Sequence, residues 1–106
     1  MSHLSTHILD STAGTPATGV GVVLVGPDGR EIARGVTDAD GRLSIGPETL
    51  DAGDYTLTFA TGRYFATRGA ATFYPSVSVE FTVSDAPHYH VPLLLSPFGY
   101  STYRGT

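Results

Sequence analysis

Apolar and polar residues alternate with period two over most of this chain, and short Gly/Pro/Asp clusters interrupt the alternation. That pattern predicts strands joined by turns. The first runs from Leu4 to Asp10, with Thr6 and Ile8 on one face and Ser5, His7 and Leu9 on the other. Residues Ser11–Gly19 predict a loop. Val20–Val25 is almost wholly apolar, as befits a strand covered on both sides. The turn Pro27-Asp28-Gly29-Arg30 predicts a return strand, Glu31–Thr37. A second turn, Asp38-Ala39-Asp40-Gly41, leads into the short strand Arg42–Ile45. Asp54–Phe59 sends Tyr55, Leu57 and Phe59 inward. Val77–Val83 does the same with Val77, Val79, Phe81 and Val83. His88–Leu95 places Tyr89, Val91, Leu93 and Leu95 on one face and His88, His90, Pro92 and Leu94 on the other. A last strand covers Tyr100–Thr106. Thr61–Arg68 breaks the alternation, because Tyr64, Phe65 and Arg68 recur at helical spacing and Gly69 follows as a stop signal. Eight short strands and one short helix predict an all-β, two-sheet sandwich, with residues 1–106 forming a single domain.

Composition narrows the chemistry. The chain has no Cys, which removes disulfides, thiol catalysis and cysteine-held metals. Its six cationic residues are all Arg, which removes Schiff-base and P-loop lysines. The net charge is −4 and no basic cluster occurs, so neither nucleic acid nor an anionic membrane is an expected partner. No apolar run approaches a bilayer span, and the opening residues lack the apolar stretch of a signal peptide, which predicts a cytoplasmic location. Only 15% of residues are charged, against the usual quarter, so part of the surface is expected to be covered by self-association.

The candidate chemistry lies mainly in His, Arg and the last few residues. His88 and His90 project to one face of their strand. They read as surface residues, as a catalytic or binding pair, or as half a zinc site completed by His7. His7 either faces solvent or lines a site. His3, near the end of the chain, is expected to be disordered. Asp38-Ala39-Asp40-Gly41 resembles the start of a calcium loop, but the later oxygen ligands are missing, so a plain turn is expected. Arg42 either holds a substrate oxygen or pairs with Asp38 or Asp40 at the surface. A terminal strand that is tied down would fix the Tyr103 hydroxyl and the Arg104 guanidinium in place.

Four segments together resemble a known family. They are Leu4-Ser5-Thr6-His7-Ile8-Leu9-Asp10 with Gly14-Thr15-Pro16-Ala17, then Thr37-Asp38-Ala39-Asp40-Gly41-Arg42, then His88 to Pro97, and finally Tyr100 to Thr106. Over its whole length the chain is similar to the transthyretin-related 5-hydroxyisourate hydrolases. The closing Tyr-Arg-Gly-Thr is the most specific marker, since it separates these enzymes from transthyretin, the hormone carrier of the same fold. Many members end in Ser where this chain has Thr106.

The resemblance implies a transthyretin-like (prealbumin-like) sandwich. It also implies a homotetramer, a dimer of dimers with active sites at the dimer–dimer interface. The implied reaction is hydrolysis of 5-hydroxyisourate in urate degradation to 2-oxo-4-hydroxy-4-carboxy-5-ureidoimidazoline, without metal or other cofactor. His7, Arg42 and His90 are the implied catalytic residues, and Tyr103, Arg104, Gly105 and Thr106 the implied substrate-binding ones. His88 has no such support. The competing classes are a transthyretin-like carrier, a prealbumin-like structural module and a zinc hydrolase using His7, His88 and His90. The isopeptide crosslink common in such modules needs a Lys, which this chain lacks.

Overall fold

A computed structural model describes residues 2–106. Two sheets face one another. In the first, β1 (Leu4–Asp10) lies next to β8 (Tyr89–Ser96) in parallel and in register, Leu4 opposite Tyr89 and Asp10 opposite Leu95. The other edge of β1 is shared by β5 (Arg42–Ile45), opposite Leu4–His7, and by β2 (Thr15–Pro16), opposite Leu9 and Asp10. Strand β9 (Gly99–Thr102) closes the far side against β8. The second sheet has the order β4 (Glu31–Val36), β3 (Gly21–Val25), β6 (Gly53–Phe59), β7 (Val77–Val83). No helix among the described residues is long and apolar enough to cross a membrane.

The core forms where the two inward faces meet. Leu4, Ile8, Leu93 and Leu95 from the first sheet pack with Val22, Leu24, Leu57 and Phe59 from the second, all almost fully buried. Truncating any one of these leucines to Ala would cost about 2–5 kcal/mol, because the lost contacts leave a cavity. The single helix, α1 (Thr61–Thr67), buries Tyr64 and Phe65. Its end is closed by Gly69 in a left-handed conformation: Ala70 N–H donates to Phe65 C=O and Gly69 N–H to Ala66 C=O. The Tyr64 hydroxyl donates to Asp10 Oδ2 at 2.9 Å, fastening the helix to β1. Burial first, and that bond second, push the Tyr64 phenol up to about 12.

Several expectations change. Nine strands form where eight were expected, because residues Ser11–Gly19 are not all loop. Asp10 Oδ1 accepts from the N–H groups of Thr12 and Ala13, and the chain folds back to make β2. Strand β3 is not covered on both sides: Val22 and Leu24 are buried, while Val23 and Val25 are partly open. Val79 and Phe81 are likewise only half-buried, since β7 is an edge strand.

The final strand stops at Thr102 rather than Thr106. Thr102 pairs with Leu93, and the next residue along β8, Pro92, has no N–H to continue the ladder; its carbonyl accepts the Thr102 hydroxyl instead. The register nevertheless survives, and Gly105 N–H reaches His90 C=O at 2.9 Å.

His3 is ordered and buried, contrary to expectation. Leu50 N–H donates to its Nδ1 at 2.9 Å, which leaves the proton on Nε2 to be given to Ala86 C=O at 2.8 Å. Its ring stacks edge-on against Tyr89.

Candidate active site

Sheet pairing places the candidate residues on the outward face of the first sheet. His7 lies directly opposite Arg42 on β5. Ser5 lies opposite His90 on β8 and Ser44 on β5. Because side chains alternate, Ser5 and His7 share the face that His90, Arg42 and Ser44 also share. Three strands distant in sequence thus bring His7, Arg42 and His90 to one patch. Beside it opens a cleft of about 350 Å³ lined by Ser5, Asp38, Arg42, Ser44 and His90 among others.

The turn before Arg42 is built to fix its backbone. Asp38 Oδ1 accepts from the N–H groups of Asp40 and Arg42, and Gly41 N–H donates to Asp38 C=O. Gly41 has φ +73°, and a Cβ there would collide with Ile8 C=O, so only glycine suits the position. The carboxylate of Asp38 is therefore engaged by backbone, and the Arg42 guanidinium forms no ion pair among the described residues. The turn carries neither a calcium loop nor the surface ion pair that was the other reading of Arg42.

His90 is the most constrained member. Ser5 Oγ lies 2.8 Å from its Nδ1. Gly105 packs against its ring so closely that a Cβ would stand 2.5 Å from His90 Cδ2. Glycine is required there by close approach rather than by a turn. Burial, then the charges of Arg42, His7 and His88, push the His90 imidazole below its usual value, with the Ser5 backbone pulling the other way. Burial and the neighbouring guanidinium both disfavour the protonated imidazole, the form that cannot accept a proton.

The other candidates fall around this centre. His7 is half-buried and makes no hydrogen bond to the described residues. Tyr103 is exposed, and the Arg104 guanidinium lies 5.3 Å over the Tyr89 ring, on the far side of His90 from Arg42. There a second, more apolar cleft of about 270 Å³ runs between β7 and the tail, with Phe81, Tyr89, His90, Tyr103 and Arg104 in its walls. Thr106 is exposed. His88 is exposed, its Nε2 2.8 Å from Ser5 Oγ. Among the described residues no three His, Asp or Glu side chains are gathered as a metal ion requires, so His7, His88 and His90 do not make a ligand set.

Ser5 escaped the sequence reading. Its place on the His7 face was visible from the alternation. Its place opposite His90 follows only from the parallel pairing of β1 with β8.

Comparison with known proteins agrees with this architecture. Residues 4–105 match the model of the HIUase/Transthyretin family. The 5-hydroxyisourate hydrolase of Salmonella dublin is 50% identical over 109 residues, covering 97% of this chain and 80% of that one. The structure of Klebsiella pneumoniae 5-hydroxyisourate hydrolase superposes with a TM-score of 0.91 at 44% identity, covering 99% of this chain and 100% of that one. Sea bream transthyretin in complex with thyroxine superposes with a TM-score of 0.90 at 36% identity, covering 98% and 95%. A shared two-sheet sandwich and a match over nearly the full length carry one conclusion: this chain belongs to the HIUase/Transthyretin family.

Proposed function

We propose that this protein hydrolyses 5-hydroxyisourate at an acyl C–N bond of its six-membered ring. The observation that carries the reading is the convergence of His7, Arg42 and His90 on one polar face, where burial and Arg42 disfavour a protonated His90. Water must attack a ring carbonyl, and negative charge then grows on that oxygen. A neutral imidazole takes the water's proton, and His7 and His90 share the proton transfers. The Arg42 guanidinium, carried on a fixed turn and without an ion pair among the described residues, holds substrate oxygens and the developing oxyanion. Tyr103 and Thr106 position substrate or water, with Arg104 and Gly105 completing the tail that lies against His90. The leaving group is an activated amide nitrogen in a reactive ring, so protein groups suffice for the step without metal.

The carrier reading is weaker on the same observation. A site for an apolar ligand would not set a guanidinium without an ion pair among the described residues, and the His90 imidazole, in the cleft wall. The assembly we propose is a homotetramer, a dimer of dimers with the sites at the dimer–dimer interface. The exposed Phe98, Tyr100 and Tyr103 and the sparse surface charge support association.

The test is direct. 5-Hydroxyisourate is generated in situ by oxidation of urate, and its ultraviolet absorbance is followed with and without the protein. Accelerated decay that survives a strong chelator is expected. Decay at the uncatalysed rate would remove the hydrolase reading. Sedimentation at micromolar concentration is expected to show a tetramer, and a monomer there would remove the assembly.

A further inference from the structure

The Ser5 hydroxyl sits between two imidazoles, 2.8 Å from His88 Nε2 and 2.8 Å from His90 Nδ1. A serine donates one proton and accepts through its lone pairs. With both hydrogen bonds made and the serine proton used, two patterns exist for neutral rings. In the first, His90 Nδ1–H donates to Ser5 Oγ, and Ser5 O–H donates to His88 Nε2. His90 Nε2 then carries a free lone pair. In the second, His88 Nε2–H donates to Ser5 Oγ, and Ser5 O–H donates to His90 Nδ1. His90 Nε2 then carries a proton. The first pattern suits a base and the second an acid.

The surroundings favour moving charge out along this line. His90 is half-buried and faces Arg42 and Ser44 of β5, His7 and Ser5 of β1, and Asp38 in the turn, with Arg104 and Gly105 behind it. An imidazolium there is opposed by desolvation and by the guanidinium. His88 at the other end of the line is open to solvent.

We propose that Ser5 and His88 are positioning residues that relay a proton between His90 and solvent, switching His90 from base to acid within one turnover. The proposal rests on the hydrolase reading above and narrows it by assigning both proton transfers to His90. His90 Nε2 takes a proton from the attacking water as the water oxygen bonds to the carbonyl carbon. The Nδ1 proton of His90 passes to Ser5 Oγ, and the Ser5 proton passes to His88 Nε2. His88 releases its Nδ1 proton to solvent. His90 is again neutral, with its proton on Nε2. When the C–N bond breaks, the leaving nitrogen takes that proton. In the same step the line runs back, so that no imidazolate forms: Ser5 gives its proton to His90 Nδ1, His88 Nε2 gives one to Ser5, and His88 Nδ1 regains one from solvent. One water is consumed and no net proton is gained or lost.

The test uses Ser5→Ala, Ser5→Thr and His88→Ala in the full chain, with two readouts. The first is kcat and KM for 5-hydroxyisourate. Ser5→Ala and His88→Ala are expected to lower kcat about tenfold, part of the roughly 10²–10⁴ that general acid–base catalysis supplies, with KM little changed. Ser5→Thr keeps the hydroxyl and recovers most of the rate, and added imidazole restores His88→Ala. The second is the ¹⁵N chemical shifts of His90 without substrate, which report the protonated nitrogen. Two exchanging tautomers are expected in the parent and a single one in Ser5→Ala. Parent-like kcat in Ser5→Ala and His88→Ala, together with unchanged His90 shifts in Ser5→Ala, overturns the relay while the hydrolase reading stands. A parent without turnover overturns the hydrolase reading and the relay's role with it.

Discussion

Strand β1 carries polar side chains on both faces, and the two sets are held differently. On the inward face, the Thr6 hydroxyl donates to Val91 C=O at 2.6 Å, and the buried Asp10 accepts from Tyr64, Thr12 and Ala13. Both groups are satisfied within the protein, as burial demands. On the outward face, His7 has no hydrogen-bond partner among the described residues, and the neighbouring Arg42 has no ion pair. Polar groups that are buried and satisfied hold the fold. Polar groups that converge on a cleft with bonding capacity left over are available to a substrate. One seven-residue strand serves both ends because its side chains alternate.

If that division is right, substitutions on the two faces should separate activity from stability. The largest effect is expected for His90→Ala and for Arg42→Ala. Each should lower kcat/KM by roughly 10²–10⁴. Thermal melting should move little for the exposed Arg42, within about 0.5 kcal/mol, and by about 1 kcal/mol for the half-buried His90, which loses its hydrogen bond to Ser5. A melting loss as large as the activity loss would break the comparison.

Asp10→Ala should do the reverse. It strips a buried acceptor from Tyr64 and two N–H groups, at about 3 kcal/mol given that hydrogen bonds to charged groups are worth about 1.5–3 each. For a domain of this size that lowers the melting temperature by roughly 10–25 °C. Turnover per folded molecule should stay near that of the parent. Denaturant unfolding alongside the decay assay reads both quantities.

Gly105→Ala tests whether the tail serves His90 or merely edges the sheet. The new methyl cannot coexist with His90 Cδ2 at 2.5 Å, so ring or tail must shift. A drop in kcat of roughly tenfold to a hundredfold is expected, consistent with displacing a group by about 1 Å. A fully active variant would show that the contact is dispensable.

The smallest effect is on pH dependence. The proposed role of His90 as a base requires it neutral, and its folded value lies below the ordinary 6.5. As pH falls from 7.5, kcat/KM should decline with a midpoint below 6.5, as His90 takes up its proton. Arg42→Gln removes a cation that opposes that proton, so the His90 titration followed by NMR should move upward. A downward move would contradict the electrostatic account.

Much of the fold was legible in the residues themselves. The alternation in β1, β6 and β8 reports which face meets the core, because burying an unpaired polar side chain is costly. Gly69 announced the end of α1 because a left-handed residue is cheapest as glycine. Less legible were features set by partners across space. Nothing local in Thr15-Pro16 announces a strand, since it pairs only because Asp10 caps the turn before it. His3 looked like a fraying end, yet it is enclosed by Leu50, Ala86 and Tyr89.

By itself the sequence determined the strand periods, the turn chemistry, the exclusion of thiol and lysine chemistry, and, through its motifs, the family. Tertiary structure decided which of those residues meet. His7, Arg42 and His90 stand together because β5 and β8 flank β1 in one register, and a slip of one residue would send them to opposite faces. The Ser5 bridge between His88 and His90, and the need for glycine at Gly105, have the same origin. Local sequence sets the direction of a side chain along its own strand, but strand pairing sets its neighbours, and catalysis depends on the neighbours.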